Sequence, residues 1–401
     1  PDEEKLCFSA VFELDEKASL LNEWFGRTVI RSNRRFTYEE AQKVIETGEG
    51  DLKEALLPLH KLAQILRAKR FREGAISFER VEVKFNLDEK GHPLGVFFKE
   101  NKESNQLIEE FMLMANKRVA NLFSPQSKHK EMKNEKGKAK TFVYRIHDKP
   151  DNDKLNNFAH FVTRFGYSIK TDNPRNTSIS INHLIASVKG KKEENLIETL
   201  ALRSMAKAKY STLNIGHYGL AFDFYTHFTS PIRRFPDMMV HRLLAHYLQN
   251  GETKSEKKYE KMCIHASEME KRATEAERAS VKYKQVEFMS DKIGQVFDGV
   301  ISGVAEWGIY VEIVENKCEG LVPIRELDDD FYVFDEDNYC LIGKYHKKRY
   351  QLGEDIKVEI LRTNLAKKQM DFRLISDGME EVTPKVEKVP YIKRKPKRKK
   401  Y

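Results

Sequence analysis

The chain has 401 residues, 40% apolar and 33% charged, with a net charge of +9 and four cysteines. That length suits two or three domains, and its longest apolar runs, such as Phe111 to Ala115, fall far short of the about 20 residues that span a bilayer, so a membrane-spanning protein is excluded. The scattered Cys7, Cys263, Cys318 and Cys340 exclude a cysteine-based zinc ribbon and a disulfide-stapled secreted domain. The opening PDEEKLCFSAVF lacks the basic start and apolar core of a secretory signal, so a cytoplasmic location is expected. Seven of the positive charges stand in the last eleven residues, YIKRKPKRKKY, which hold no acid, and the body is nearly neutral. Such a tail suits nucleic acid or another polyanion, or else serves as a disordered solubilising extension.

Taken in order, Leu6, Phe8, Val11, Phe12 and Leu14 predict a strand, and LNEWFGRTVIRSNRRFT a second. A strand right at the terminus suggests that a longer protein continues upstream. Residues 38–72 read as helical, with Leu52, Leu56, Leu59, Leu62, Ile65 and Leu66 recurring at three- and four-residue steps. Alternating Ile76, Phe78, Val81, Val83 and Phe85 predict a strand, and DEKGHP a turn. Residues 103–123 give the cleanest helix, with Leu107, Ile108, Phe111, Met112, Ala115 and Val119 on one face. The polar stretch 127–140 reads as a flexible surface loop, followed by a short apolar segment, FVYRIHDKP. Helices are expected near 153–166 and 194–209, then in MMVHRLLAHYLQ, then over 255–290. From Gly294 the pattern changes to short alternating strands punctuated by glycine, the signature of a small β-barrel. The fold class is α+β.

The densest chemistry lies in YTHFTSPIRRFPD, Tyr225 to Asp237. Pro231 and Pro236 stiffen the backbone around Arg233 and Arg234. Two guanidiniums on a rigid turn suit a phosphodiester, because each planar fork binds two oxygens at once. The same residues also suit a buried arginine–aspartate network closed by Asp237.

The stretch HYGLAFDFYTHFTSPIRRFPDMMVHRLL resembles the signature of the ribonuclease II / ribonuclease R (RNB) family of processive 3′→5′ exoribonucleases. GAISFERVEVKF, LIEEFMLMAN, RIHDKP and ALRSMAKAKYS resemble further family segments in family order, and the similarity extends over roughly residues 1–376. It is strongest to the ribonuclease R branch, whose lysine-rich tail this chain shares. The resemblance implies a partial RNB catalytic domain over 1–290, an S1-type RNA-binding OB-fold barrel over 291–376 and a basic disordered tail over 377–401. It implies Mg²⁺-dependent hydrolysis of single-stranded RNA from the 3′ end to nucleoside 5′-monophosphates, by a cytoplasmic monomer whose tail adds affinity for RNA or ribosomes. The family's metal centre is an aspartate cluster, Asp, five residues, Asp, one residue, Asp-Asp, and that pattern does not occur in this sequence. The chain is therefore expected to begin inside the catalytic domain, past its metal ligands, and to be inactive alone. A non-catalytic RNA-binding fragment is the alternative.

The matched motifs imply roles for single residues. Arg233 corresponds to the arginine set against the scissile phosphate, where it stabilises charge on the phosphoryl oxygens. Arg234 beside it is a further RNA contact. Phe78 corresponds to a phenylalanine that stacks on terminal bases, although at an alternating position core packing is the ordinary role. Tyr38 in RFTYEE corresponds to a tyrosine near the cleaved end. Glu110 in LIEEFM corresponds to a glutamate that reads ribose, where an exposed helix glutamate is the plain reading; a carboxylate accepting from a 2′-OH distinguishes RNA from DNA. Glu275 and Glu277 compete for one further family glutamate.

Elsewhere the residues favour structural roles. DDDFYVFDED, with Asp328, Asp329, Asp330, Asp335 and Asp337, lacks EF-hand spacing and is not expected to bind metal. His241 and His246 are five apart, unlike an HExxH pair, and with His217 and His227 are expected to pack or bond to backbone. In the barrel, Phe297, Trp307, Tyr310 and Phe331 are candidates for base stacking, with Trp307 and Phe297 the best placed for an RNA face.

Overall fold

The computed structural model describes residues 2–76, 82–99, 101–191, 193–336 and 338–375. Phe78 and the basic tail, 377–401, lie outside the described residues. The chain divides into two compact units, Pro1–Asp88 with Leu94–Val281, and Glu89–Pro93 with Lys282–Tyr401.

The first unit opens with β1 (Glu4–Leu14) and β2 (Leu20–Arg31), an antiparallel ribbon with Glu4 opposite Arg31 and Ala10 opposite Phe25. The strand period of two turns Phe8, Ala10 and Phe12 to the core, and Cys7 and Ser9 to the other face. Helix α1 (Tyr38–Thr47) starts on a capping box in which the Glu40 N–H donates to Thr37 Oγ1 (3.1 Å) and the Thr37 N–H to Glu40 Oε2 (2.8 Å). It ends at Gly48 in the left-handed region, before α2 (Lys53–Glu73). The helix expected over 38–72 is thus two helices, because the Gly48–Gly50 segment breaks it. β3 (Glu82–Leu87) and β4 (Pro93–Lys99) form a hairpin ahead of α3 (Glu103–Asn121). Helix α3 packs against α1 and α2 and buries Leu107, Leu113, Ala115 and Val119.

The polar stretch after α3 is not merely a surface loop. A short 3₁₀ turn, Lys130–Met132, buries Met132 completely in the core. β5 (Tyr144–Ile146) pairs with β6 (Lys209–Ser211) across α4 (Asn152–Thr163), α5 (Pro174–Val188) and α6 (Glu194–Ser204). Helix α6 stops five residues short of its expected end because the chain turns into β6. Helices α7 (Phe235–Leu248) and α8 (Glu256–Met289) follow. The core gathers Phe123, Phe142, Met239, Leu243, Leu244 and Tyr247, with Phe123 and Phe142 stacked at 3.7 Å between centroids.

The second unit holds the last turns of α8 and a closed five-stranded barrel. Its strands are β7 (Val296–Ala305), β8 (Gly308–Ile313), β9 (Glu319–Pro323), β13 (Asp355–Asn364) and β14 (Gln369–Ile375), in the order β13-β14-β9-β8-β7. Neighbours are antiparallel except β14 and β9, whose parallel pairing closes the circle. Ile301, Ile309, Val311, Ile313, Val322, Val358, Ile360 and Phe372 fill the interior, and Val286 and Met289 of α8 join them. Between β9 and β13 lies a three-stranded antiparallel sheet, β10 (Tyr332–Asp335), β11 (Cys340–Gly343) and β12 (Arg349–Gln351), which the sequence pattern does not separate from the barrel.

All four cysteines are free; Cys7 is half-buried and the others are buried. Burial pushes the Cys263 and Cys318 thiols up to about 12. No helix among the described residues is long and apolar enough to cross a membrane.

Candidate nucleic-acid interface

The segment from Phe222 to Ser230 is tied down by its neighbours. Tyr225 O accepts from the Arg145 N–H (2.9 Å), and Thr226 Oγ1 donates to Val143 O (2.7 Å). Asn116 on α3 accepts the Phe228 N–H (2.8 Å) and donates to Tyr225 Oη (3.2 Å). His241 on α7 bonds the Phe228 carbonyl (2.7 Å) and stacks on the Phe228 ring at 4.3 Å. These contacts fix the base from which the arginine turn projects.

On that turn Ser230 O accepts the N–H groups of Arg233 (3.3 Å) and Arg234 (3.0 Å). Asp237, fully buried in the first turn of α7, takes the Ser230 N–H (2.8 Å) and the Arg234 Nη2 (2.9 Å) on one oxygen, Oδ2. The two readings of the arginine pair are therefore divided between the two residues. Arg234 closes the buried network with Asp237, whereas Arg233 is exposed and makes no ion pair among the described residues. Arg234 Nε and Asp237 Oδ1 are buried with no partner among the described residues. Arg234 thus has one face committed to the fold.

Behind the turn, His217 and His227 are neutral, and the histidines there bond to the fold. His227 Nδ1 bonds Tyr210 Oη (2.8 Å), and burial with the charge of Arg234 lowers it to about 2. Burial, helped by His147 and Arg145, lowers His217 to about 3. His147 accepts the Gly219 N–H on Nδ1 (2.8 Å), which makes Nε2 the donor to Ala206 O (2.7 Å). His246 bonds the Glu252 carbonyl (2.9 Å).

Tyr38 opens α1 and is 45% exposed. It lines a 440 Å³ pocket with Gln42, Lys43, Phe97, Phe98 and Lys102. Glu110 is not an exposed helix glutamate. It is 3% exposed, and its carboxylate faces the Arg70 guanidinium on α2, with Arg67 Nη1 at 3.7 Å. Arg70, Phe97 and Phe98 escaped the sequence reading. Arg70 lies near the C-terminal end of α2 and reads as a surface arginine, although it is 5% exposed. Glu275 and Glu277 are both exposed on α8, and Glu275 lies 3.9 Å from Lys271.

Two further cavities, of 1310 and 500 Å³, share Glu73, Arg175 and Asp223 in their linings. The larger also presents Lys117, Arg118, Lys128 and Asn121. Burial lowers the Lys117 ammonium below its usual value, and it rests 4.2 Å from the Phe222 ring centroid. The basic pair Lys117-Arg118 in ANKRVAN was the available signal for this lining.

In the barrel, Trp307 is 53% exposed and donates from Nε1 to Tyr310 Oη (3.0 Å). Phe297 is half-buried and packs against the barrel core. The acidic run is engaged with its own surroundings. Asp329 bonds Tyr332 Oη (2.9 Å) and Lys348 (3.0 Å), and Asp335 accepts from Asn338 (2.6 Å). Asp330 accepts the N–H groups of Phe331, Tyr345 and His346 at 2.6–3.0 Å. Asp337 lies outside the described residues. No cluster of His, Cys, Asp or Glu among the described residues fits a metal ion.

A closed barrel of this strand order is an OB fold of the S1 type, and here it follows an α+β unit that offers one uncommitted arginine on a pinned turn. The chain belongs to the RNB family: residues 1–250 match the RNB domain and residues 290–374 the S1 RNA binding domain. It is 37% identical to Ribonuclease R of Aquifex aeolicus (strain VF5), over 94% of this chain and 53% of that protein. It is 33% identical to Ribonuclease R 1 of Lactococcus lactis subsp. lactis (strain IL1403), over 98% of this chain and 47% of that protein. Its structure resembles that of Mycoplasma genitalium RNase R in complex with ribose methylated single-stranded RNA, with a TM-score of 0.84 and 25% identity over 94% of this chain and 58% of that one. The chain spans about half the length of the curated relatives it matches.

Proposed function

We propose that this chain is the RNA-gripping and phosphate-positioning portion of a cytoplasmic, monomeric 3′→5′ exoribonuclease that degrades single-stranded RNA processively to nucleoside 5′-monophosphates with Mg²⁺. The observation that carries the reading is Arg233, exposed and without an ion pair among the described residues, on a turn that Asp237 holds, inside an RNB match. A guanidinium so placed donates two parallel hydrogen bonds to the non-bridging oxygens of a phosphodiester and stabilises the charge that builds there on cleavage. No cluster of carboxylates, histidines or cysteines among the described residues fits Mg²⁺, so no step is assigned to metal ligands among them. Tyr38, Phe78 and Glu110 are proposed to lie along the RNA path, Glu110 by orienting Arg70 beneath it, and Trp307 to stack on bases at the barrel. Arg234 and Phe297 are proposed as further RNA contacts. The basic tail adds salt-dependent affinity for RNA or ribosomes.

A time course with 5′-labelled single-stranded RNA and Mg²⁺ tests this. This chain alone is expected to retard the RNA without shortening it, while the longer protein yields a descending ladder that Arg233→Ala abolishes. A ladder from this chain alone would place metal ligands within it. Failure to retain RNA, or a longer protein indifferent to Arg233→Ala, would sink the reading.

A further inference from the structure

The sheet inserted between β9 and β13 carries a feature that the barrel reading does not use. Along β10, Tyr332 is buried and Val333 is exposed, so Phe331 and Val333 share the outer face. Register places Val333 opposite Ile342 on β11, and Ile342 opposite Arg349 on β12. The outer face therefore shows a row Val333, Ile342, Arg349. Beyond it Phe331 O accepts the Lys344 N–H (2.9 Å), which extends the ladder by one more pair. Phe331 is 65% exposed and Tyr345 is 72% exposed.

The turn that presents these groups is locked. One carboxylate, Asp330, takes the N–H groups of Phe331, Tyr345 and His346, and the Gly343 N–H closes on Lys348 O (2.8 Å). Gly343 is what lets Asp330 approach, since a Cβ there would stand 2.5 Å from Asp330 Oδ2. With Asp330 used by backbone, the stretch Lys344-Tyr-His-Lys-Lys-Arg349 is exposed throughout. Only Lys348 of its four cationic residues has an ion-pair partner among the described residues, Asp329. Rigid exposed rings on a small sheet, framed by uncommitted cations, meet the two requirements of a single strand: faces for bases and charge for phosphates.

We propose that the outer face of β10 and the adjoining β11–β12 turn, with Phe331 on the sheet and Tyr345 on the turn as stacking rings and Lys344, Lys347 and Arg349 as phosphate contacts, form a second docking platform for single-stranded RNA, distinct from Trp307 on the barrel. The inference rests on the RNA-binding reading above and adds where on the second unit the strand is held. A free acidic polymer would use the cations but not the rings, so the rings decide between RNA and a general polyanion.

The test is fluorescence anisotropy of the full chain with a labelled short single-stranded RNA. Phe331→Ala with Tyr345→Ala is expected to weaken binding about tenfold, as loss of base stacking does. Tyr345→Phe should bind as the unaltered chain. Lys344→Gln and Lys347→Gln should each reduce the salt slope of log K by about 0.7. Thermal midpoints of these variants serve as the fold control, since every altered side chain is exposed. Unaltered affinity in the double-alanine variant, while Trp307→Ala weakens binding, overturns the platform and leaves the RNA reading standing. A chain that binds no RNA in any form overturns that reading instead. Loss of binding to anionic phospholipid vesicles with RNA affinity retained would make the face a membrane contact and also overturn the platform.

Discussion

The arginine turn of the first unit and the basic turn of the second solve one problem in two ways. Each must hold cations out in water at fixed positions, and each uses an aspartate as the anchor. Asp237 is fully buried and is matched by a charged partner, Arg234, as well as a backbone N–H. Asp330 is partly exposed and is matched by backbone N–H groups alone. Burial would raise the Asp330 carboxyl, but the N–H groups of His346, Tyr345 and Phe331 outweigh it and hold the group below its usual range. The first anchor is woven into the core, and its removal strands a charge. The second is local, and its removal frees only its own turn.

That contrast fixes the order of the expected effects. Asp237→Ala leaves Arg234 largely buried without its counter-charge, and a loss of about 3–5 kcal/mol is expected in urea unfolding. A loss below about 1 kcal/mol would mean that the turn is held by Pro231 and Pro236 rather than by the ion pair. The next largest effect comes from the histidines behind the turn. His217 and His227 are neutral in the fold, with values near 3 and 2, but protonate near 6.5 once unfolded. The unfolded chain therefore binds more protons below pH 6.5, and stability falls as pH falls through that window by up to about 1.4 kcal/mol per pH unit for each histidine. Above it they contribute no pH dependence. His227→Asn keeps an acceptor for Tyr210 and should flatten the decline between pH 6.5 and 4.5; an unchanged slope would place the acid sensitivity elsewhere.

Smaller still is Asp330→Ala. It should leave the global unfolding midpoint nearly unmoved while speeding hydrogen exchange at the Tyr345 and His346 amides. A global loss as large as that of Asp237→Ala would erase the distinction between the two anchors. Smallest is Arg233→Ala, which should change stability by less than about 0.5 kcal/mol because the side chain is exposed and makes no ion pair among the described residues. A larger loss would show that Arg233, like Arg234, belongs to the fold.

The sequence made some of this legible and hid the rest for definable reasons. The stripe in α3 declares itself because its apolar residues, Leu107 to Val119, recur at helical spacing over more than three turns. Helix α5, Pro174–Val188, went unseen because Thr177, Ile179, Ile181, Ile185 and Val188 are β-branched, residues that weaken a helix signal. Its start was nonetheless written in the chain, as Asn173 at the cap and Pro174 just inside. Met132 sits alone in a run of lysines, where nothing in the spacing reveals that its side chain is buried. The arginine pair shows the limit most clearly. Composition puts both guanidiniums on one turn, but only the backbone direction at α7 decides which of them meets Asp237. Glu110 is similar, since its burial depends on Arg70, which lies forty residues earlier.

The four thiols have a practical consequence. Cys263, Cys318 and Cys340 are buried, and the first two hold their protons up to about 12. At neutral pH a maleimide or a nitroxide reagent therefore finds one reactive sulfur, that of Cys7 on the outward face of β1. In this chain Cys7 therefore offers an attachment point for a dye or spin label, on a strand whose neighbours Ser9 and Thr28 are small, and none of its other cysteines need be removed before distances to bound RNA are measured.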